Sequence, residues 1–201
     1  MLSLFLSYSP ATQRTHANDL KERLSYYGVD AFVAHEDIKP NAIWRNEIRD
    51  RLRRAHALAY LADTEGNESC WCNQEIGIAL GLGKQVIVVM RGAVPVGFLS
   101  EQQGIRSRDN AVEDAKAIYE VLCTEAAQRI EIGTGLAERL MKSGSFAESN
   151  SIASIISEHG AFHPKAIDLM ESAKEQNSQV REARRVNSAI ASAKTKVMET
   201  E

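Results

Sequence analysis

Trp71 and Glu75 stand four residues apart in the stretch Ser69-Cys70-Trp71-Cys72-Asn73-Gln74-Glu75-Ile76-Gly77-Ile78-Ala79-Leu80-Gly81. Four residues is about one helical turn, so on a helix the indole and the carboxylate share a flank. A carboxylate beside an aromatic ring can receive a sugar or a cationic ring. The same pair also fits a plain structural role, with Trp71 as half-buried packing and Glu75 complementing the positive end of a helix. Ser69 is placed to enter that helix, its hydroxyl accepting from an unpaired first-turn N–H. Ile76, Ala79 and Leu80 recur at helical spacing, which predicts that they face a core.

Other chemistry-bearing residues are thinly spread. His35, Glu36 and Asp37 are consecutive, and three consecutive side chains cannot all point at one metal ion, so they read as solvated loop charges. Cys70 and Cys72 form a Cys-x-Cys pair with no further partners at zinc spacing; with Cys123 the count is odd. The three fit a reducing cytoplasm, with Cys123 expected in a helix core and Cys70 and Cys72 as bystanders. Neither Gly-x-Gly-x-x-Gly after the first strand nor Gly-x-x-x-x-Gly-Lys is present, so the common phosphate-cradling loops are missing. The lack of a Gly-x-Ser-x-Gly elbow argues against a Ser-His-Asp hydrolase. A phospho-receiver would need an acidic cluster where the first strand ends in Ser7.

These residues must be held by a fold, and 201 residues with 44% hydrophobic and 25% charged content suit one globular domain with an extension. A net charge of -3 gives no general drive toward nucleic acid or anionic membranes. No apolar run approaches the roughly 20 residues that span a bilayer. The apolar start, Met1 to Ser9, lacks a basic leader region and reads as a first strand rather than a signal peptide. A cytoplasmic, soluble protein is expected.

The periodicity predicts strands at Leu2–Leu6, Val29–Ala34, Ala55–Ala62 and Gln85–Met90, with at most a short fifth around Ile105. Between them lie helices: one carrying Ala17, Leu20, Leu24 and Tyr27 and stopped at Gly28, one carrying Ile43, Trp44, Glu47, Ile48, Arg51 and Leu52 after Pro40, and the Ser69–Gly81 helix. A further helix is expected over Val112–Ile130. The nearly unbroken aliphatics of Gln85–Met90 suit a strand covered on both faces. Alternating strands and helices predict a doubly wound, mainly parallel α/β sheet over residues 1–130. Residues 131–201 carry no strand signal and are expected to be an all-helical C-terminal extension, with helices over Leu136–Lys142, Phe146–His159 and Pro164 to about Val197. Its 9 basic and 10 acidic residues, against 15 and 17 before it, exclude a charged tail.

In an open parallel sheet, ligands bind beyond the carboxyl ends of the strands. That rim gathers Ser7-Tyr8-Ser9, the His35–Asn41 loop, the Asp63–Glu68 loop and the start of the Trp71–Glu75 helix. The convergence shifts the weight for Glu75 from packing toward chemistry.

Four segments together resemble the TIR (Toll/interleukin-1 receptor) domain family in its bacterial form. They are Leu4-Phe5-Leu6-Ser7-Tyr8-Ser9; Phe32-Val33-Ala34-His35-Glu36-Asp37-Ile38 running to Trp44, similar to the family's BB loop; Ser69 to Glu75, which contains a Trp-x-x-x-Glu motif; and Pro95-Val96-Gly97-Phe98-Leu99 with Gln103-Gly104-Ile105. The match covers roughly residues 1–125. Asn41 departs from the glycine many relatives carry after the proline, a position where asparagine is also tolerated. The resemblance implies a five-stranded flavodoxin-like sheet and, in the family's enzymes, cleavage of the nicotinamide–ribose bond of NAD+ by a glutamate matching Glu75. Phe5, Ser7, Tyr8, Asp37, Trp44 and Trp71 are then expected to bind substrate. NAD+ is then the expected substrate, with no other cofactor and no metal expected, and the expected product is ADP-ribose or a cyclic form. It further implies self-association through TIR–TIR contacts, a role in antiphage defence with an effector that senses the product, and residues 133–201 promoting assembly or holding a resting state. A non-catalytic assembly module and a nucleoside deoxyribosyltransferase-like enzyme are the competing readings.

Overall fold

The computed structural model describes residues 1–34 and 44–197, the side chain of Trp44 excepted. Five strands, β1 (Leu2–Ser7), β2 (Val29–Val33), β3 (Ala57–Ala62), β4 (Gln85–Met90) and β5 (Ile105–Arg106), form one sheet in the order β2-β1-β3-β4-β5. β3 pairs in parallel with β1 and β4, and β4 with β5, with Ser7 opposite Tyr60 and Ala62 opposite Met90. All six residues of β3 are buried, as an apolar strand must be when both sheet faces are covered. This is the expected doubly wound, flavodoxin-like sheet. Its strand order reverses between β1 and β3, which opens a crevice at their carboxyl ends.

The chain forms two compact units. The first comprises Ser3–Leu24 and Asp30–Val121 and holds all of the sheet but Leu2 and Val29. Its helices are α1 (Pro10–Tyr26, running on into the second unit), α2 (Trp44–Arg54), α3 (Thr64–Glu68), α4 (Cys70–Gly81) and α5 (Ala111–Leu122). The core on one sheet face joins Phe5, Phe32, Leu52, Leu58, Ile76 and Val88, with the Phe5 and Phe32 rings 5.3 Å apart between centroids. Residues 64–68, expected as loop, are helical because the Asp63 carboxylate caps them.

The second unit comprises Met1–Leu2, Ser25–Val29 and Leu122–Glu201. It contains α6 (Ala126–Met141), α7 (Phe146–Glu158), α8 (Pro164–Gln176), α9 (Ser178–Arg181) and α10 (Val186–Lys194). α6 lies against α8, and α7 against α10. The helical character is as expected, but the segmentation differs. The helix expected over Val112–Ile130 stops at Leu122, because residues 124–127 are exposed and continue no apolar stripe. α6 then runs straight through residues 131–135, where no helix is expected, and Gly133 and Gly135 serve close packing there. A Cβ on Gly135 would lie 2.1 Å from the Gly28 carbonyl oxygen, and one on Gly133 would lie 2.8 Å from that of Ala161. The long helix expected from Pro164 is cut at Asn177, whose side chain caps α9 through Gln179 N and donates to the carbonyls of Met141 and Ser143. Cys123 sits half-buried in the turn after α5, not in a helix core. No helix among the described residues is long and apolar enough to cross a membrane.

Candidate functional site

The site is built where β1 and β3 end. Leaving β1, the chain turns through Ser9, whose carbonyl accepts the Gln13 N–H at 2.9 Å to start α1. Leaving β3, it reaches the buried Asp63. That carboxylate accepts from Gly66 N at 2.6 Å, from the Gln13 side-chain amide at 2.8 Å, and from the Thr12 hydroxyl. Asn67 accepts the Tyr60 hydroxyl at 2.9 Å and donates to the Val94 carbonyl at 2.8 Å. The connection from β3 to α4 is therefore anchored at both sides before it delivers Ser69. The Ser69 hydroxyl caps α4, accepting from Cys72 N at 3.3 Å, as the sequence predicts.

α4 presents Trp71, Cys72 and Glu75 to a cavity of about 270 Å³. Leu6, Tyr8 and Pro10 line it from the end of β1, Ala34 and Ile48 from a second side, and Ser69 from the cap. The walls are mainly apolar, and Glu75 is the one carboxylate among the described lining residues. Trp71 is 53% exposed and forms the rim, whereas Glu75 is only 7% exposed.

Burial pushes the Glu75 carboxyl up to about 7, opposed by the hydrogen bond it accepts from Ser7. The Ser7 hydroxyl donates to Glu75 Oε2 at 2.7 Å. A carboxylate in such a setting is charged in a good fraction of molecules near neutrality, yet it is poorly solvated. It is suited to meeting a positive charge or accepting a hydroxyl proton. Burial also pushes the Cys72 thiol up; hydrogen bonding with Ser69 and Ser7 opposes this, and the nearby Glu75 carboxylate adds to it.

The residues expected at the site distribute as follows. Glu75, Trp71 and Tyr8 come together at the cavity. Ser7 and Phe5 do not line it: both are fully buried behind it, Ser7 against Glu75 and Phe5 against Phe32. Both point to the sheet face on which the lining residues Ala34, Ile48 and Cys72 pack, but they are fully buried there and do not reach the cavity surface. Asp37 lies outside the described residues, with the rest of the His35–Asn41 loop and the side chain of Trp44. Leu80, expected in the core, is 38% exposed, while Ile76 and Ala79 are buried. Cys72, read as a bystander, lines the cavity; its place three residues before Glu75 is the signal that both share a helix face. Ala34 and Ile48 carried no such signal, since an apolar pocket wall has the composition of a core.

A second polar cluster lies at the end of β4. Arg91 donates to Gln13 at 2.6 Å, to Ser107 at 3.0 Å and to Asp109 at 2.7 Å, and pairs with the buried Asp114. Burial alone would raise the Asp114 carboxyl, but hydrogen bonds from His16 and Ser107 and the positive charge of Arg91 hold it below the ordinary range. This hydrogen-bonded cluster fastens β4 to α1 and α5.

A family model described as TIR domain matches residues 4–123. No curated protein matches the sequence. Among solved structures, the chain is similar to the TIR domain of the Toll-related receptor TRR-2 from Hydra magnipapillata, with 18% identity, 59% of this chain and 91% of that one covered, and a TM-score of 0.48. It is also similar to a 2-desoxiribosyltransferase from Leishmania mexicana, with 17% identity, coverage of 59% and 97%, and a TM-score of 0.45. For the CMP N-glycosidase BcmB from Clostridium botulinum the figures are 14% identity, 59% and 98% coverage, and a TM-score of 0.45.

Proposed function

The chain belongs to the TIR domain family, and from its pocket we propose that it is an NAD+ glycohydrolase or ADP-ribosyl cyclase with Glu75 as its catalytic residue. The observation that carries this reading is the Glu75 carboxylate, buried in the wall of a mainly apolar cavity at the β1/β3 crevice, one helical turn from the indole of Trp71. The cavity volume falls near the lower end of small-molecule sites, roughly 300–1,000 Å³. It suits the reacting nucleoside end of a dinucleotide, with the remainder along the rim.

The chemistry asks for little more than one carboxylate. When the bond between ribose C1′ and the nicotinamide ring nitrogen breaks, its electron pair stays with that nitrogen and neutralises the pyridinium. The leaving group needs no proton. Positive charge develops on the ribose as an oxocarbenium-like centre, which a fixed carboxylate in a water-poor site stabilises. Water then adds at C1′ and gives up a proton to Glu75 or to solvent, yielding ADP-ribose. Attack by an oxygen or nitrogen of the same molecule yields a cyclic product. Trp71 offers its ring face to the nicotinamide or the sugar, and Tyr8 adds a second aromatic to the lining.

Self-association belongs to the same reading, supported by the exposed apolar residues Val94, Val96 and Phe98, the last 90% exposed. A cytoplasmic antiphage role, with the product read by a separate effector, follows from the bacterial members the sequence resembles. The test is nicotinamide release from NAD+ by the full chain and by Glu75→Ala, at concentrations where the chain assembles. Turnover by the native chain, absent in the variant, is expected. Undiminished turnover by the variant removes Glu75 from the mechanism. Lack of turnover by an assembled native chain favours the non-catalytic assembly module.

A further inference from the structure

Ser7 occupies the last position of β1, opposite Tyr60 in the parallel ladder with β3, so its backbone is held by the centre of the sheet. Its side chain is fully buried and does not line the cavity, although both chain neighbours do. Its hydroxyl reaches Glu75 Oε2 at 2.7 Å. A glutamate has three side-chain torsions, and in a pocket walled by Leu6, Ala34 and Ile48 few groups can decide which carboxylate oxygen faces the ligand. The anchor comes from a different element than the helix that carries Glu75, so it triangulates the carboxylate against the sheet.

We propose that Ser7 is a positioning residue: by holding Oε2 from behind, it leaves Oε1 as the oxygen that Glu75 presents to the substrate, in one orientation. The proposal rests on the NAD+-cleaving reading for its substrate but not for its geometry. Its chemical consequence is a single-point contact. While the Ser7 bond stands, the carboxylate does not grip the vicinal ribose hydroxyls with both oxygens, and Oε1 alone is aimed at the reacting sugar. Cys72, the titratable group beside the pair, touches Ser7 from the same helix as Glu75 and is left in place by the test.

Ser7→Ala removes the donor with little change in volume, and Ser7→Thr restores it. With NAD+ as substrate, Ser7→Ala is expected to lower kcat on the order of 10-fold to 100-fold, the scale of a misaimed catalytic group, with KM changed less than about 3-fold because the lining residues remain. The acid limb of its kcat profile moves to higher pH, since the bond lost favours the charged carboxylate. Ser7→Thr recovers both. The same shift is read without any substrate by following the Glu75 side-chain carboxyl through a pH titration by carbon-13 NMR, with Glu75→Gln identifying the signal. A native chain that turns over no NAD+ overturns the NAD+-cleaving reading, and the NMR titration still decides whether Ser7 governs Glu75. An unmoved Glu75 midpoint in Ser7→Ala, or native kcat there with Glu75→Gln inactive, overturns the proposal. If Ser7→Ala does not fold, Ser7→Cys, a weaker donor, is expected to show a smaller shift in the same direction, and no shift in it counts against the proposal equally.

Discussion

Gln13 and Asp63 are 50 residues apart in sequence and are joined by a 2.8 Å hydrogen bond from the amide of the first to the carboxylate of the second. The same carboxylate accepts the Gly66 N–H and the Thr12 hydroxyl, so one buried side chain fixes the first turn of α1 relative to the segment that leads into the site. Asp63→Ala leaves those buried donors without an acceptor, at about 1–3 kcal/mol for an unsatisfied group. The expected loss is roughly 2–4 kcal/mol by urea denaturation, with Asp63→Asn losing less because its carbonyl oxygen still accepts.

Glu75 costs the fold stability when it ionises. Its carboxyl is pushed by burial from 4.5 to about 7, so between those values the native state binds more protons than the unfolded chain. Stability attributable to this group is then complete below about pH 4.5 and declines as pH rises through 7. A shift of this size corresponds to about 3 kcal/mol. Glu75→Gln is expected to melt close to the native chain at pH 4.5 and above it at pH 8, and a difference that does not grow with pH would contradict the burial argument.

The sheet was legible because its strands are short apolar runs closed by Gly, Pro and polar clusters, and β3 and β4 are apolar on both faces. The position of Glu75 was legible for the same reason: the strand reading puts the start of α4 on the rim where such sheets bind ligands. Less visible was which residues of β1 reach the cavity surface. Phe5 and Ser7 point to the face that carries Ala34, Ile48 and Cys72 but are fully buried in it, and a strand buried on both sides carries no pattern that reports depth. In the second unit the extent of α6 was less legible. Gly133 and Gly135 fall between the two helices expected there, yet they are places where α6 touches other backbone, which depends on Ala161 for the first and on Gly28, more than 100 residues earlier, for the second.

That contact makes a sharp contrast between glycines. A Cβ at Gly135 would meet the Gly28 carbonyl oxygen at 2.1 Å, backbone against backbone, with no flexible side chain to yield. Gly135→Ala is expected to destabilise by about 3 kcal/mol or more, beyond ordinary overpacking. Gly77, on α4, has open space around its Cβ position, and Gly77→Ala is expected to stabilise by roughly 0.5–1 kcal/mol through helix propensity. Thermal melts of the two variants should move in opposite directions.

His159 sets an acid limit on the second unit. Its Nε2 lies 2.8 Å from the Arg129 carbonyl oxygen, so that nitrogen carries the proton in the neutral ring. Burial pushes the group down from 6.5 to about 4. The native state therefore binds fewer protons between those values, and the associated stability, complete above about pH 6.5, is lost as pH falls through 4. The shift is worth about 3 kcal/mol. His159→Gln is expected to flatten the fall in stability between pH 6.5 and 4, measured by urea midpoints across that range.

Trp71 and Glu75 share one helix flank but divide the work, and their variants should separate it. Trp71 is about half exposed at the rim and makes no part of the sheet core, so Trp71→Ala should cost the fold about 1 kcal/mol or less. On the proposed NAD+-cleaving reading its ring face holds an aromatic or sugar group in ground and transition states alike, a uniform contact expected to appear in KM. Loss of such stacking is on the order of 1–3 kcal/mol, which predicts a rise in KM for NAD+ of roughly 5-fold to 100-fold with kcat nearly kept. On the same reading Glu75→Gln keeps size and one hydrogen-bonding oxygen but removes the charge proposed to face the developing oxocarbenium, so its loss is expected in kcat. Trp71→Phe, retaining a ring, should recover most of the KM. A Trp71→Ala variant that loses kcat instead, with KM unchanged, would place the indole in the transition state and shift part of the charge stabilisation from Glu75 to the ring.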